Sequence, residues 1–309
     1  MSLLPPEIRE DMRSARQLEW RTLGWMTSVI LVMFLASGSS QAMRTALFED
    51  VLSLVPAATF LIAAKLEPKS PTKKYPFGFV RVNSLAFLAS AVVLTALGGW
   101  LLVEGLMGLF KAEHPTIGPM ELFGQTVWQG WVMVAALTYS VIPPLILGHL
   151  KLPIARKLQD KVLHTDALMQ KADWQTGLAG ICGIVGVALG WWWADALAAA
   201  VISLSILYDG IRNIRTAAAE LLDGAPRALD SADIAPDAQQ LQARLEARWP
   251  GAKVRLRESG RYILASVEEV DEIGEPPALH DLMQDDAPWR LAQLSFSPES
   301  SSRRGEDKA

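Results

Sequence analysis

The sequence predicts an all-α transmembrane domain of six spans followed by a small C-terminal α/β domain. Three observations predict it. Long uncharged runs recur through the first two thirds of the chain, Lys and Arg fall in alternate loops, and the composition switches after Asp223-Gly224-Ala225-Pro226. Half of the 309 residues are hydrophobic and only 20% are charged, less than the quarter usual for soluble domains. The net charge of −4 hides an asymmetry: residues 224–309 carry 16 acids and 11 bases, and the rest of the chain is close to neutral. The predicted organisation is an N-terminal cytoplasmic segment over 1–20, a membrane domain over 21–223, a cytoplasmic α/β domain over 224–298 and a polar, disordered tail over 299–309.

A bilayer core takes about 20 apolar residues as a helix. No charge falls between Arg21 and Arg44, Arg81 and Glu104, Glu121 and Lys151, or Asp173 and Asp195. Two further apolar segments contain acids: Arg44 to Lys65 holds Glu49 and Asp50, and the run after Asp195 holds Asp209. The spans are therefore placed at 22–40, 45–64, 82–109, 128–150, 168–191 and 194–212. Bases concentrate before the first span, between the second and third (Lys65, Lys69, Lys73, Lys74, Arg81), between the fourth and fifth (Lys151, Arg156, Lys157, Lys161) and after the sixth. The positive-inside rule then puts both termini in the cytoplasm. The polar first 20 residues do not read as a cleaved signal peptide. Ala- and Arg-rich usage points to a bacterial cytoplasmic membrane.

Within the spans, Pro56 lacks an amide N–H and is expected to kink the second helix. Thr176, Gly177, Gly180, Gly183, Gly186 and Gly190 form a small-residue stripe that places the fifth span centrally, in close helix contact. Trp191, Trp192 and Trp193 mark the outer interface. In the C-terminal region, Pro236 to Arg248 reads as an amphipathic helix, with Leu241, Leu245 and Trp249 spaced by four. Val254 to Glu258 and Tyr262 to Val270 read as a hairpin turning at Ser259-Gly260. Pro277 to Gln284 suits a short helix and Trp289 to Phe296 a third strand, giving the order α-β-β-α-β.

Composition excludes several functions. One Cys and four His rule out a disulfide scaffold and zinc-finger or zinc-ribbon domains. The acidic balance argues against nucleic acid. No HExxH, GxSxG or P-loop is present, so an enzyme is disfavoured. Ionisable groups within spans suggest function by default. In the second span Asp50, Ser53 and Ala57 share a face, with Glu49 beside them. In the fifth, Asp166, Met169, Gln170 and Asp173 share a stripe, Lys171 points elsewhere, and His164 precedes the span. Simpler readings stay open: Asp166 and His164 at the headgroup level, Glu49 and Asp50 reaching water, Lys171 snorkelling to the surface. Asp173, a turn or more inside, is the strongest functional candidate.

These features resemble a known family. Six spans with both termini inside, the loop Tyr75-Pro76-Phe77-Gly78-Phe79-Val80-Arg81, the run Gly190-Trp191-Trp192-Trp193-Ala194-Asp195, and Leu221-Leu222-Asp223 are together similar to the cation diffusion facilitators. The resemblance covers about Trp20 to Phe296. It implies export of a divalent metal, commonly zinc, in exchange for protons, a homodimer in the lipid bilayer, a ferredoxin-like C-terminal domain and no resident cofactor. It also implies a transport site with His or Asp and, four residues on, Asp, on both the second and fifth spans. Residues i and i+4 share a helix face, so two helices supply four ligands.

Here the matched positions are Ser53 and Ala57, and Met169 and Asp173. Only Asp173 keeps a strong ligand. Tyr75 and Phe79 stand where the family's loop carries His. A replacement cluster is Asp50 facing Asp173, completed by Ser53, Gln170 and Met169. Lys171, Glu49, Asp166 and His164 are candidates for proton or charge relay. The missing ligands also admit a second reading, a non-transporting paralogue acting as a regulatory or partner subunit.

Overall fold

The computed structural model describes residues 5–37, 47, 50–111, 119–122, 125–191, 193–270, 277–283 and 287–297. It is mostly helical, with a small sheet at the C-terminal end. Helix α1 spans Pro6–Ser37 and opens on Pro6, where the missing N–H costs nothing, with Glu7 favourable near the positive end of the helix dipole. Helix α2 covers Leu54–Leu66, and Asp50 to Leu52 are also helical, with a turn at Ser53. The break is where the sequence predicts it: Pro56 has no N–H to give the Leu52 carbonyl. One turn earlier, the Ser53 hydroxyl donates to the Asp50 carbonyl at 2.8 Å.

Helix α3 (Val82–Phe110) is followed by two short strands, β1 (Pro119–Leu122) and β2 (Gln125–Trp128), which pair antiparallel. The sequence reading did not anticipate this hairpin, because each strand is only four residues and lacks apolar alternation. Helix α4 (Gln129–Leu158) continues past the predicted 150, through Pro153, and ends on Gln159 with φ +46°. Helix α5 (Lys161–Ala188) starts two residues later. Its start is fixed by Asp160, whose carboxylate accepts from the amides of Val162 and Leu163 at 2.9 and 3.0 Å, satisfying donors that a helix leaves open. Helix α6 covers Ala194–Leu221.

Among the described residues, α1 over Pro6–Leu35, α3 and α4 are long and apolar enough to cross a membrane. The unbroken part of α2 is short, α5 opens on charged residues, and α6 carries Asp209, Arg212 and Arg215 toward its end. Helix α5 is central: it touches α2, α3, α4 and α6. Gly177 and Gly180 lie against Val141 and Leu137 of α4, as the stripe predicts. A close backbone approach also joins α3 and α6. A Cβ on Gly98 would sit 2.7 Å from the Leu207 amide nitrogen, and one on Gly105 2.9 Å from that of Ala200. Trp191 and Trp193 are exposed and stacked, with ring centroids 6.5 Å apart; Trp192 lies outside the described residues.

The C-terminal elements follow the predicted order: α7 (Pro236–Arg248), β3 (Lys253–Ser259), β4 (Tyr262–Glu268), α8 (Leu279–Met283) and β5 (Leu291–Ser297). Trp289 falls in a short 3-10 turn (Pro288–Arg290) just ahead of β5. The sheet order is β3-β4-β5, with β3 and β4 antiparallel and β4 and β5 parallel. Its core joins Leu241, Leu245 and Trp249 of the α7 region to Ile263, Ala265 and Val267. A ferredoxin-like fold would place a strand ahead of the first helix. Among the described residues that position holds only an isolated bridge between Arg227 and Ile234.

The β3–β4 turn joins this unit to the helices. Gly260, at φ +61°, lies so close to α3 that an added Cβ would be 2.9 Å from the Val80 carbonyl oxygen, and its amide donates to the Ser84 hydroxyl at 3.1 Å. Arg261 is fully buried. Its guanidinium bridges Glu67, just past α2, at 2.9 Å and Asp160, which caps α5, at 2.8 Å. Burial works against that charge, but the two carboxylates outweigh it and raise the pKa. Lys161 pairs with Glu220 and Glu258, and Asp223 with Arg81 and Arg257. One Arg therefore touches the ends of both helices that carry the candidate site.

Candidate functional site

The candidate residues lie on α2 and the turn ahead of it and on α5, two helices that pack against each other. Ala57 of α2 and Ser53 just ahead of it are fully buried, and Asp50 is half-buried. One Asp50 carboxylate oxygen is buried without a hydrogen-bond partner among the described residues. On α5, Gln170 is fully buried, and neither its amide nitrogen nor its amide oxygen has a hydrogen-bond partner among the described residues. Asp173, one turn further along, is half-buried. A buried amide left unmade costs about 1–3 kcal/mol.

The stripe on α5 continues toward the end that carries the C-terminal domain, and there the structure adds residues that the sequence reading did not single out. Asp166 is fully buried and ion-paired with Lys151 of α4. The same ammonium lies 2.9 Å from Glu19 of α1. All three side chains have no exposed surface. Two carboxylates and one ammonium thus tie α1, α4 and α5 together, and one oxygen on each carboxylate remains without a hydrogen-bond partner among the described residues. Asp166 is therefore not at a solvated headgroup level; it is a buried member of a network. A signal for Glu19 was present: Ala15, Leu18, Thr22 and Met26 are its neighbours on the buried face of α1, and it is the one acid in that stripe. Nothing in the spacing of Lys151 could have paired it with Asp166.

Three other candidates are placed differently from the sequence reading. Met169 is fully buried, but in an apolar cluster with Leu94, Leu97, Ala172 and Ile206, toward α3 and α6. It sits at the edge of the stripe, and its flexible, weakly polar thioether fills the apolar gap. It therefore does not complete the mixed ligand set expected around Asp50. Lys171 is exposed and lines a small pocket with Gln175, Ser205 and Asp209, on the side facing α6. A residue 200° around the helix from Asp173 cannot neutralise it directly. His164 is buried, and its Nε2 lies 2.9 Å from Asp230, in the connection that leads to α7. It joins two elements of the fold at the start of α5 and does not face Asp50. Glu49 lies outside the described residues, as does the tail over 299–309.

Among the described residues, no group of three or more His, Cys, Asp and Glu side chains could hold a metal ion. The arrangement supplies separate carboxylates, an amide and a hydroxyl. Such oxygen donors suit hard, flexible-coordination cations better than tetrahedral zinc.

Comparison with known proteins agrees with this architecture. The family described as "Cation efflux transmembrane domain" matches residues 23–222. A Mycobacterium tuberculosis protein named "Probable cation efflux system protein Rv2025c" is 27% identical over 272 residues, covering 84% of this chain and 74% of its own length. The "Cation-efflux pump FieF" of Serratia proteamaculans is 24% identical over 279 residues, 87% of this chain and 85% of its own. The protein of that name from Klebsiella pneumoniae is 25% identical over 241 residues, 76% of this chain and 73% of its own. With the family match spanning well over half of its length, this chain belongs to the cation efflux family of integral membrane proteins.

Proposed function

We propose that this chain is a secondary transporter that exports a divalent metal cation from the cytoplasm in exchange for protons. The observation that carries the reading is a set of polar groups withdrawn from solvent on two helices that share an interface inside a cation efflux fold: Ser53 and one Asp50 oxygen just ahead of α2, and Gln170 on α5. Apolar side chains would fill that interface more cheaply if it only held helices together. Six membrane passages by α1 to α6, both termini in the cytoplasm, a bacterial cytoplasmic membrane and a homodimeric assembly complete the proposal. The Lys-rich and Arg-rich ends of the helices support the orientation. The names of the relatives support efflux of a cation.

In this reading the cation exchanges water for the oxygens of Asp50, Asp173, Ser53 and Gln170, and protons discharge it by taking its place on the carboxylates. The residues favour an oxygen-preferring ion such as manganese or magnesium over zinc. One observation favours a second reading, a non-transporting paralogue that serves as a partner subunit: no group of His, Cys, Asp and Glu among the described residues could hold a metal by itself. Metal titration by calorimetry separates the two. The purified protein should bind one cation of a Mn, Mg, Co, Ni and Zn panel saturably, and Asp173→Ala and Asp50→Asn should each weaken it at least tenfold. Equal binding by the parent and both variants would remove these residues as ligands, and no binding across the panel would favour the partner subunit.

A further inference from the structure

A second cavity lies away from the α2–α5 interface, at the end of the bundle that carries the C-terminal domain. It has a volume of about 520 Å³, and its walls come from α1, the α2–α3 loop and the β3–β4 hairpin. That volume is in the range that holds small-molecule ligands. Arg9, Arg13 and Arg16 line one side. Their spacing of four and three places them on one face of α1. Lys69 of the loop lines it as well.

None of these four bases makes an ion pair among the described residues, although acids are close in sequence. Asp11 is turned toward Lys157 of α4, at 3.9 Å. Glu67 is the one carboxylate in the wall, and Arg261 already holds it at 2.9 Å. The buried Tyr262 lines the cavity too. Burial, and then the charge of Glu67, raise the pKa of its phenol, so it stays protonated. The rim is apolar: Phe77 is 87% exposed, and Phe79 stands beside it in the wall.

We propose that this cleft is a binding site for a phosphate-bearing anion, presented either by an anionic phospholipid headgroup or by a soluble phosphate ester. Guanidinium groups match phosphate oxygens through paired N–H donors. Three of them on one helix face, exposed to the cleft with a lysine opposite and no ion pair of their own among the described residues, make a positive field that attracts an anion. Basic pockets at the ends of membrane helices take lipid headgroups for this reason, and the exposed Phe77 offers an apolar surface to an acyl chain. The walls include Glu67, at the end of α2, and Tyr262, next to Arg261. Occupancy would therefore brace the contact between the C-terminal unit and a helix of the transport interface. The rival account is that these bases are solvated and serve only to orient the chain in the membrane.

The test uses the full chain purified in a neutral detergent, with calorimetry and thermal stability as readouts at physiological ionic strength. The probes are dihexanoyl-phosphatidylglycerol, glycerol 3-phosphate, inorganic phosphate, and dihexanoyl-phosphatidylcholine, whose phosphate is offset by its choline. The proposal expects saturable binding of phosphatidylglycerol or of the soluble phosphates, and none of phosphatidylcholine. Arg13→Gln with Arg16→Gln should weaken it roughly tenfold or more, since each removes a charged, two-pronged donor to the phosphate. Lys73→Gln with Lys74→Gln, in the same loop but off the cleft walls, should leave it unchanged. Should the Arg pair fail to fold, Arg9→Gln alone is read in the same way. Binding confined to phosphatidylglycerol identifies the lipid as the source, and equal binding of glycerol 3-phosphate identifies a soluble ester. No saturable binding of any phosphate probe, or equal losses in the Arg and Lys pairs, would overturn the site.

Discussion

Lys151 shows how a single side chain can carry more than its sequence position suggests. In the linear chain it ends a long uncharged run and reads as a cytoplasmic loop base. In the fold it has no exposed surface and pairs with both Asp166 and Glu19. Replacing it with Met should cost about 3–5 kcal/mol, because two buried carboxylates lose their counter-charge. Denaturant unfolding in detergent checks this, and a Lys151→Met, Glu19→Gln, Asp166→Asn triple variant should recover most of the loss. Gln170 makes the opposite case. Its unpartnered amide destabilises the empty protein, so Gln170→Leu should raise stability by about 1–3 kcal/mol while reducing cation binding. Asp50, Ser53, Gln170 and Asp173 stand out in the sequence because polar groups inside a span are unusual, and their role as ligands is the proposal that the metal titration tests. Met169 and Lys171 were misplaced because helical periodicity gives an angle, and the neighbours of α5 decide what that angle faces.

At the scale of elements, two contacts set the architecture. The first is the glycine-lined approach of α3 and α6. The sequence reading put the small-residue emphasis on α5 because glycines are densest there. Gly98, Gly105 and Gly210 are spaced too widely to form one obvious stripe, yet they allow a close backbone approach. Gly98→Val should destabilise the protein by about 1–3 kcal/mol through overpacking, with the melting temperature as the measurement. The second contact is the β3–β4 turn. Its hairpin was plain from the alternating strands and Ser259-Gly260, but no local signal says that Arg261 reaches Glu67 and Asp160. Arg261→Gln leaves two carboxylates without their partner, and Gly260→Ala meets the Val80 carbonyl. Both should loosen the C-terminal unit, and limited proteolysis should cut the connection over 224–235 several times faster than in the parent.

For the whole molecule, the hydropathy and charge pattern carried most of the fold. The uncharged runs correspond to long helices because a helix is the open-chain structure that satisfies every backbone group in lipid. The helix ends were less legible: α4 extends to Leu158 and α5 starts at Lys161, since helices continue beyond the apolar core until a cap such as Asp160 intervenes. The β1–β2 hairpin had no signal of its own. The family match at 23–222 and the departure at Ser53, Ala57 and Met169 leave one central claim, that cations pass the α2–α5 interface against protons. The direct measurement is proton flux in liposomes that hold a pH-sensitive dye, challenged with Zn, Mn, Co, Ni or Mg. The account predicts a metal-dependent flux that vanishes in Asp50→Asn and in Asp173→Asn. Flux that persists unchanged in both variants, or silence of the folded parent across the panel, would contradict it.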